Sequence, residues 1–413
     1  MSSIVIVGAG QAGLAAAEAL RSGGFQGNIT LLGGEPYGPY HRPPLSKAWL
    51  AGEMDSAQLT MRAPEMLARK NILLRTGVEV TQIDRTGQSL TLADGSSLSY
   101  TGLVLATGSS PRTLALQGMD ASGVFVLRSR DDAQAIAQQM ERCSEHKREL
   151  IVIGGGFIGL EVAATARKKG LSVTVLEAAP RLLGRVLAPV LSDWYAQLHR
   201  DHGVKLVLDA RIDDFETGPD GAVFAVRMAD GTRHPAGLVV VGVGVAANDQ
   251  LALAAGLACD RGIVVDACGR TNDPLIMAAG DCTARRLADG NLLRLESVQN
   301  ATEQGKSAAA ALLGVDRPFT ATPWFWSDQY DKKLQMAGLS MGANDWVVRG
   351  DMGLGASFSV YHFKSGRLLA VDSINASKDH LQARKLIEAG LSPTKEQVED
   401  LHFDLASLLQ GAR

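Results

Sequence analysis

Ile4-Val5-Ile6-Val7-Gly8-Ala9-Gly10-Gln11-Ala12-Gly13 runs from a short β-branched segment into a Gly-x-Gly-x-x-Gly turn, and from there into an alanine-rich stretch that reads as helix over 12–21. Each glycine has its own task in such a turn. Gly8 permits the tight bend, Gly10 lets the backbone approach a pyrophosphate, and Gly13 lets helix and strand pack closely. The helix N-terminus that follows offers free N–H groups and the positive end of the dipole, which favour an anion. A second β-branched run at 28–32 completes a strand–turn–helix–strand unit. Glu35 follows about 20 residues after the glycines, where an acid reaches the ribose hydroxyls of a bound nucleotide.

The same grammar returns further along the chain. Leu150-Ile151-Val152-Ile153 leads into Gly154-Gly155-Gly156-Phe157-Ile158-Gly159, then a helical stretch, a strand at 172–176 and an acid, Glu177. A carboxylate there accepts from both ribose hydroxyls of NADH and repels the 2′-phosphate of NADPH. Arg181, nearby in sequence, weakens that preference slightly. Two βαβ units are an internal duplication of architecture. Two nucleotide sites in tandem point to one nucleotide reducing the other, with the tightly held flavin at the first and the mobile nicotinamide at the second.

Composition bounds what else the chain can be. At 413 residues it is long enough for two or three domains. Hydrophobic residues at 46% and charged residues at 21% place it among globular proteins. A formal net charge of −3 gives no basic excess of the kind a nucleic-acid binder carries. No basic leader with a cleavage site opens the chain, and no apolar run reaches the ~20 residues needed to cross a bilayer. A cytoplasmic location without a membrane partner is expected. The four cysteines, Cys143, Cys259, Cys268 and Cys282, include no C-x-x-C pair and read as reduced structural thiols. A disulfide reductase needs two adjacent thiols, and this sequence offers none.

Three strands end in small residues that allow close approach to the backbone: Leu105-Ala106-Thr107-Gly108, the run 238–244, and Ala278-Ala279-Gly280-Asp281. Beyond Pro323 the pattern changes to aromatic-rich alternating strands, followed by helical patterns at 377–389 and 395–409. The expected fold is α/β: two Rossmann-like nucleotide-binding domains, for FAD and NADH, plus a C-terminal α+β domain. The expected boundaries are 1–112 with 246–321 for FAD, 113–245 for NADH and 322–413 for the C-terminal domain.

The motifs Pro39-Tyr40-His41-Arg42-Pro43-Pro44-Leu45-Ser46-Lys47, Ala106-Thr107-Gly108, Gly280-Asp281, Glu296-Ser297-Val298-Gln299-Asn300-Ala301 and Pro323-Trp324-Phe325-Trp326-Ser327-Asp328-Gln329 carry a resemblance over almost the whole chain. The sequence resembles the glutathione-reductase-like flavoproteins and, among them, the putidaredoxin-reductase-like, FAD-dependent ferredoxin reductases of oxygenase systems. The resemblance implies hydride transfer from NADH to FAD. Single electrons then pass to a small acidic [2Fe–2S] ferredoxin that serves a P450 or a Rieske oxygenase. No metal site is assigned.

The resemblance also implies residue roles. Lys47, Glu161 and Trp326 form the catalytic set, with Lys47 at the flavin N5 edge, Glu161 paired to it and orienting the nicotinamide, and Trp326 against the flavin. Gly8, Gly10, Ala12, Gly13, Glu35, Arg42, Lys47, Val80, Ala106, Arg128, Asp281, Val298 and Trp326 contact FAD. Of these, Val80 meets the adenine through its backbone, Asp281 bonds the ribityl chain, and Val298 begins a helix, 298–312, aimed at the pyrimidine end. Gly154, Gly156, Gly159 and Glu177 take NADH. His41 departs from the family's usual Asp, and Gly33-Gly34 leaves Glu35 as the only ribose acid there. Lys332, Lys333, Arg349, Arg367, Arg384 and Lys385 are candidates for docking an acidic partner. A rubredoxin reductase and an NADH-sensing interaction protein are the alternative readings.

Overall fold

The structure, a computed structural model, describes residues 2–287 and 289–410. The chain divides into two compact units. The first comprises the segments up to His41, Ser56–Ser110 and Val245–Ala321. The second comprises Arg42–Asp55, Pro111–Gly244 and the chain from Thr322 onward.

In the first unit a five-stranded parallel sheet runs in the order Ile276–Ala278, Gly102–Leu105, Ser3–Val7, Asn28–Leu32, Ile72–Arg75. Alternation along Ser3–Val7 divides the core. Ile4 and Ile6 join the cluster under helices Gln11–Ser22 and Val298–Leu312, while Val5 and Val7 join the cluster on the opposite face. Burial on both faces is what a parallel sheet requires, and it explains why the strand reads as continuously apolar. The two helices pack nearly backbone to backbone: a Cβ added at Gly305 would lie 2.4 Å from the Ala12 carbonyl oxygen.

The second unit contains a parallel sheet of the same kind, in the order Lys205–Val207, Val173–Leu176, Leu150–Ile153, Leu238–Val241, Val124–Val126. It also holds an antiparallel five-stranded sheet, ordered Trp324–Gln329, Lys332–Gly338, Arg367–Ile374, Phe358–Lys364, Asp345–Gly350. Helices Ser377–Glu388 and Lys395–Glu399 cover that sheet through Leu386 and Val398. Ser109–Pro111 and Val245–Ala247 pair as a two-stranded ribbon where the chain passes from one unit to the other and back. Among the described residues no helix is long and apolar enough to cross a membrane.

The helical pattern at 395–409 is not one helix. Asp400 turns extended (φ −73°, ψ 103°), and Asp404 caps a separate turn, Leu405–Leu409, by accepting from the Ala406 N–H. The break leaves backbone carbonyls without helical donors. Arg349, only 9% exposed, collects them: Nη1 donates to the oxygens of Val398 (2.9 Å) and Asp400 (2.7 Å), and Nη2 to those of Leu401 (3.3 Å) and Phe403 (3.0 Å). Arg349 is therefore structural and not a docking residue. Replacing it with Ala orphans several acceptors at about 1–3 kcal/mol each, of which water recovers part. Denaturant unfolding of Arg349→Ala should show a loss of at least about 3 kcal/mol, and a loss under ~1 kcal/mol would contradict this role.

Candidate functional site

The two glycine turns are nearly superposable in their constraints. Gly8 and Gly154 both take positive φ, 113° and 103°. A Cβ at Gly8 would sit 2.1 Å from the Ala106 oxygen, and one at Gly154 would sit 2.4 Å from the Gly242 oxygen. The third glycines are as crowded, with Gly13 at 1.8 Å from the Gly8 oxygen and Gly159 at 2.2 Å from the Gly154 oxygen. The middle glycines differ: nothing lies within 4 Å of a Cβ at Gly10 or Gly156. Both are N-caps of their helices, and neither helix end is closed by a side-chain cap. Open space, a backbone without a Cβ and uncapped N–H groups at a helix N-terminus form an anion cradle. A dinucleotide pyrophosphate fits at both positions.

The neighbouring residues complete each cradle. Glu35 accepts from the Tyr40 hydroxyl at 2.5 Å. Glu177 accepts from the Gly155 N–H at 2.5 Å through Oε2 and from the Ala179 N–H at 2.7 Å through Oε1. These bonds fix the Glu177 carboxylate against its glycine turn and leave lone pairs for ribose hydroxyls. Arg181 is turned to the Leu187 and Gly184 oxygens and the Ser192 hydroxyl, so its charge is spent within its own loop.

In the first unit, Ala12 packs against Gly280, and Asp281 accepts from Ser109 at 3.1 Å. Val298 opens its helix behind Ser297, whose hydroxyl accepts the Asn300 N–H. Val80 starts a strand whose register slips between Val80 and Gln82.

The second unit brings Lys47 and Glu161 together at 2.6 Å. Glu161 is 4% exposed, yet its carboxylate has three donors. Oε2 accepts from Lys47 and from the Ser46 hydroxyl (2.5 Å), and Oε1 from the Ser327 hydroxyl (2.6 Å). A buried carboxylate persists only when so satisfied. Lys47 also donates to the Pro43 oxygen at 3.2 Å. The geometry of Glu161 comes from two periodicities meeting. Phe157 and Glu161 are one turn apart on helix Phe157–Lys168, and Phe325 and Ser327 alternate on one face of strand Trp324–Gln329. The rings of Phe157 and Phe325 pack at 4.9 Å, one step from the Ser327–Glu161 bond.

Trp324 and Trp326 occupy the other face of that strand and stack at 5.5 Å. Trp326 is thus not brought to the Lys47–Glu161 pair through its own strand face. Arg42 donates to the Arg128 oxygen at 2.7 Å, which places those two residues side by side. Ser46 and Ser327 were not singled out from the sequence. Their signal was present in the motifs that contain them, but a serine in an apolar strand reads as filler.

Of the basic residues expected to dock a partner, Lys332 is buried and paired with Asp331 at 2.6 Å, and Arg349 is buried as described. Arg384 is partly buried and bonded to Glu388 at 2.9 Å. Lys333, Arg367 and Lys385 are exposed.

All four cysteines are free thiols. Burial pushes the Cys143 and Cys282 thiols up and takes Cys259 to about 11. The Cys282 thiol is fully enclosed against the oxygens of Leu105 and Ala279. These three are protonated at neutral pH and are poor nucleophiles.

Two nucleotide cradles and a lysine paired with a buried glutamate define a dinucleotide-dependent oxidoreductase. The chain belongs to the pyridine nucleotide-disulphide oxidoreductase family, whose model matches residues 2–305, with a reductase C-terminal domain at 324–409. It is 46% identical to rhodocoxin reductase of Rhodococcus erythropolis, over 98% of this chain and 93% of that protein. It is 43% identical to putidaredoxin reductase of Pseudomonas putida, over 100% and 97%. The crystal structure of the covalent putidaredoxin reductase–putidaredoxin complex matches with a TM-score of 0.94 at 42% identity, over 100% of this chain and 99% of that one.

Two outcomes follow from this geometry. Gly159→Ala forces backbone apart and should lower stability by about 3 kcal/mol. Gly156→Ala, pointing into open space, should leave the melting temperature within about 2 °C while weakening NADH binding roughly tenfold or more. Equal melting temperatures for the two variants would contradict the assignment.

His199, fully buried, is pushed down to about 4, chiefly by burial, with neighbouring His202 adding to it and the hydrogen bond to Gln329 opposing it. A histidine held neutral in the fold binds its proton more readily when unfolded. Its contribution is complete above pH ~6.5 and is lost as pH falls toward ~4, a change of roughly 3 kcal/mol. Unfolding free energies of wild type and His199→Phe, compared between pH 7 and pH 4, should converge by that order; parallel pH curves would exclude it.

Proposed function

We propose that this protein is an NADH-dependent ferredoxin reductase that holds FAD and passes electrons to a small, acidic [2Fe–2S] ferredoxin serving a P450 or Rieske oxygenase. The carrying observation is the presence in one chain of two matched dinucleotide cradles with no thiol pair to receive electrons. Two relatives that the chain matches over nearly their whole length are named as reductases of rhodocoxin and of putidaredoxin.

Bound FAD would supply the chemistry, two-electron uptake from NADH and one-electron release, that no side chain offers. The chain's own residues bind and orient. Gly8, Gly10, Ala12 and Gly13 cradle the FAD pyrophosphate, with Glu35 on its ribose and Val80, Ala106, Asp281 and Val298 along the rest. Arg42, Lys47, Arg128 and Trp326 are assigned to the flavin ring. Gly154, Gly156, Gly159 and Glu177 hold NADH, and Glu161 fixes Lys47 and orients the nicotinamide. The proposed domains are 1–112 with 246–321 for FAD, 113–245 for NADH and 322–413 as the C-terminal α+β domain, with the excursion Arg42–Asp55 packing in the second unit. The working location is the cytoplasm, where NADH is available.

Stopped-flow reduction should be at least tenfold more efficient with NADH than with NADPH, and Glu177→Ala should erase most of that ratio. Reoxidation by [2Fe–2S] ferredoxins should slow as salt rises, and Lys333→Gln with Lys385→Gln should flatten that dependence. A preference for NADPH, or reoxidation by rubredoxin alone, would overturn the proposal.

A further inference from the structure

Glu161 does not end its polar contacts at Ser327. Gln329 Nε2 donates to the Ser327 hydroxyl at 3.3 Å, and Gln329 Oε1 lies 2.8 Å from His199 Nε2. His199 Nδ1 lies 3.1 Å from the Tyr330 hydroxyl. Ser327, Gln329 and His199 are all at most 1% exposed. The chain therefore runs Tyr330–His199–Gln329–Ser327–Glu161 through the interior of the second unit.

Its direction follows from one end. A carboxylate paired with Lys47 is acceptor-only, so Ser327 must spend its single proton on Glu161. Ser327 then can only accept, and the Gln329 amide must turn its nitrogen to it. The Gln329 oxygen faces His199, so Nε2 carries the ring proton. Nδ1 is left as an acceptor and takes the Tyr330 proton. Every donor points toward Glu161. The amide in the middle is a poor proton carrier, so the chain polarises and holds and does not conduct.

Tyr330 supplies an independent sign that the arrangement is maintained at a cost. It sits in the turn between strands Trp324–Gln329 and Lys332–Gly338 with φ 57°, a left-handed conformation that a bulky residue rarely adopts. Asn or Gly is the usual occupant of such a position. Here the strained backbone delivers the ring to stack on His202 at 3.7 Å and the hydroxyl to His199.

We propose that Ser327, Gln329, His199 and Tyr330 are positioning residues, a one-way donor chain that anchors Oε1 of Glu161 so that Oε2 stays on Lys47 during hydride transfer. This rests on the reading that Glu161 orients the nicotinamide.

The test has two arms, both on the FAD-loaded protein. In the first, ¹⁵N-histidine spectra, with His199→Phe to assign the signal, should show His199 neutral and protonated at Nε2 at pH 7. A proton on Nδ1, or a charged ring, overturns the chain. In the second, Ser327→Ala and Gln329→Leu should lower the limiting rate of flavin reduction by NADH, the Ser327 change by about tenfold, the worth of one hydrogen bond to a charged group. The NADH dissociation constant should move less than about twofold, and Ser327→Thr should restore the rate. In a Glu161→Gln background the Ser327→Ala loss should vanish; an undiminished loss there shows a merely structural serine and overturns the proposal. Should Ser327→Ala not fold, Gln329→Leu in both backgrounds decides by the same criterion. If Glu161→Gln alone is reduced at the wild-type rate, the role given to Glu161 fails, and the tautomer measurement decides the chain.

Discussion

A carboxylate that is 4% exposed must find its donors inside the protein or forfeit its charge, and Glu161 draws its three donors from two distant parts of the chain. Ser46 and Lys47 come from the segment that leaves the first unit, and Ser327 from the aromatic strand near the C-terminus. The Ser46 carbonyl in turn accepts from Thr165, one helical turn beyond Glu161, and Lys169 reaches the Ala51 oxygen. The excursion Arg42–Asp55 is fastened to the second unit by this set of polar contacts along helix Phe157–Lys168. Packing adds to it, since Arg130 lies over the Trp49 ring at 5.0 Å. One buried charge thus fixes the placement of the helix, the loop and the strand that carry the site.

The nucleotide cradles were the most legible part of the sequence, because their physics is local. Positive φ at Gly8 and Gly154, crowding at Gly13 and Gly159, and open space at Gly10 and Gly156 all follow from the turn itself. The full-length likeness to ferredoxin reductases was legible from motifs too, and the α/β architecture with a C-terminal reductase domain agrees with it.

What could not be read was what depends on partners far away in the chain. Ser327 and Gln329 acquire meaning only when strand alternation turns them toward helices Phe157–Lys168 and Pro189–Asp201. Charge alone misled in the C-terminal region. Lys332 and Arg349 look like surface cations in sequence, but one is buried in its pair and the other is consumed by carbonyls of a broken helix. The break itself rests on Asp400 and Asp404, whose capping competes with continuation of the helical pattern.

The ribbon formed by Ser109–Pro111 and Val245–Ala247 bears on how such a chain arises. Exit and return strands lie side by side, and the Thr107 hydroxyl and Asn248 side chain tie the two crossings together, at 2.6 Å and 2.9 Å. A second copy of the βαβ unit can therefore be spliced into the first at neighbouring points without disturbing the register of the host sheet. The joint is cheap to make and, taken alone, as cheap to undo. The serines and the lysine that satisfy Glu161 change that: deleting the insert would strand an ammonium and two hydroxyls in the segments left behind.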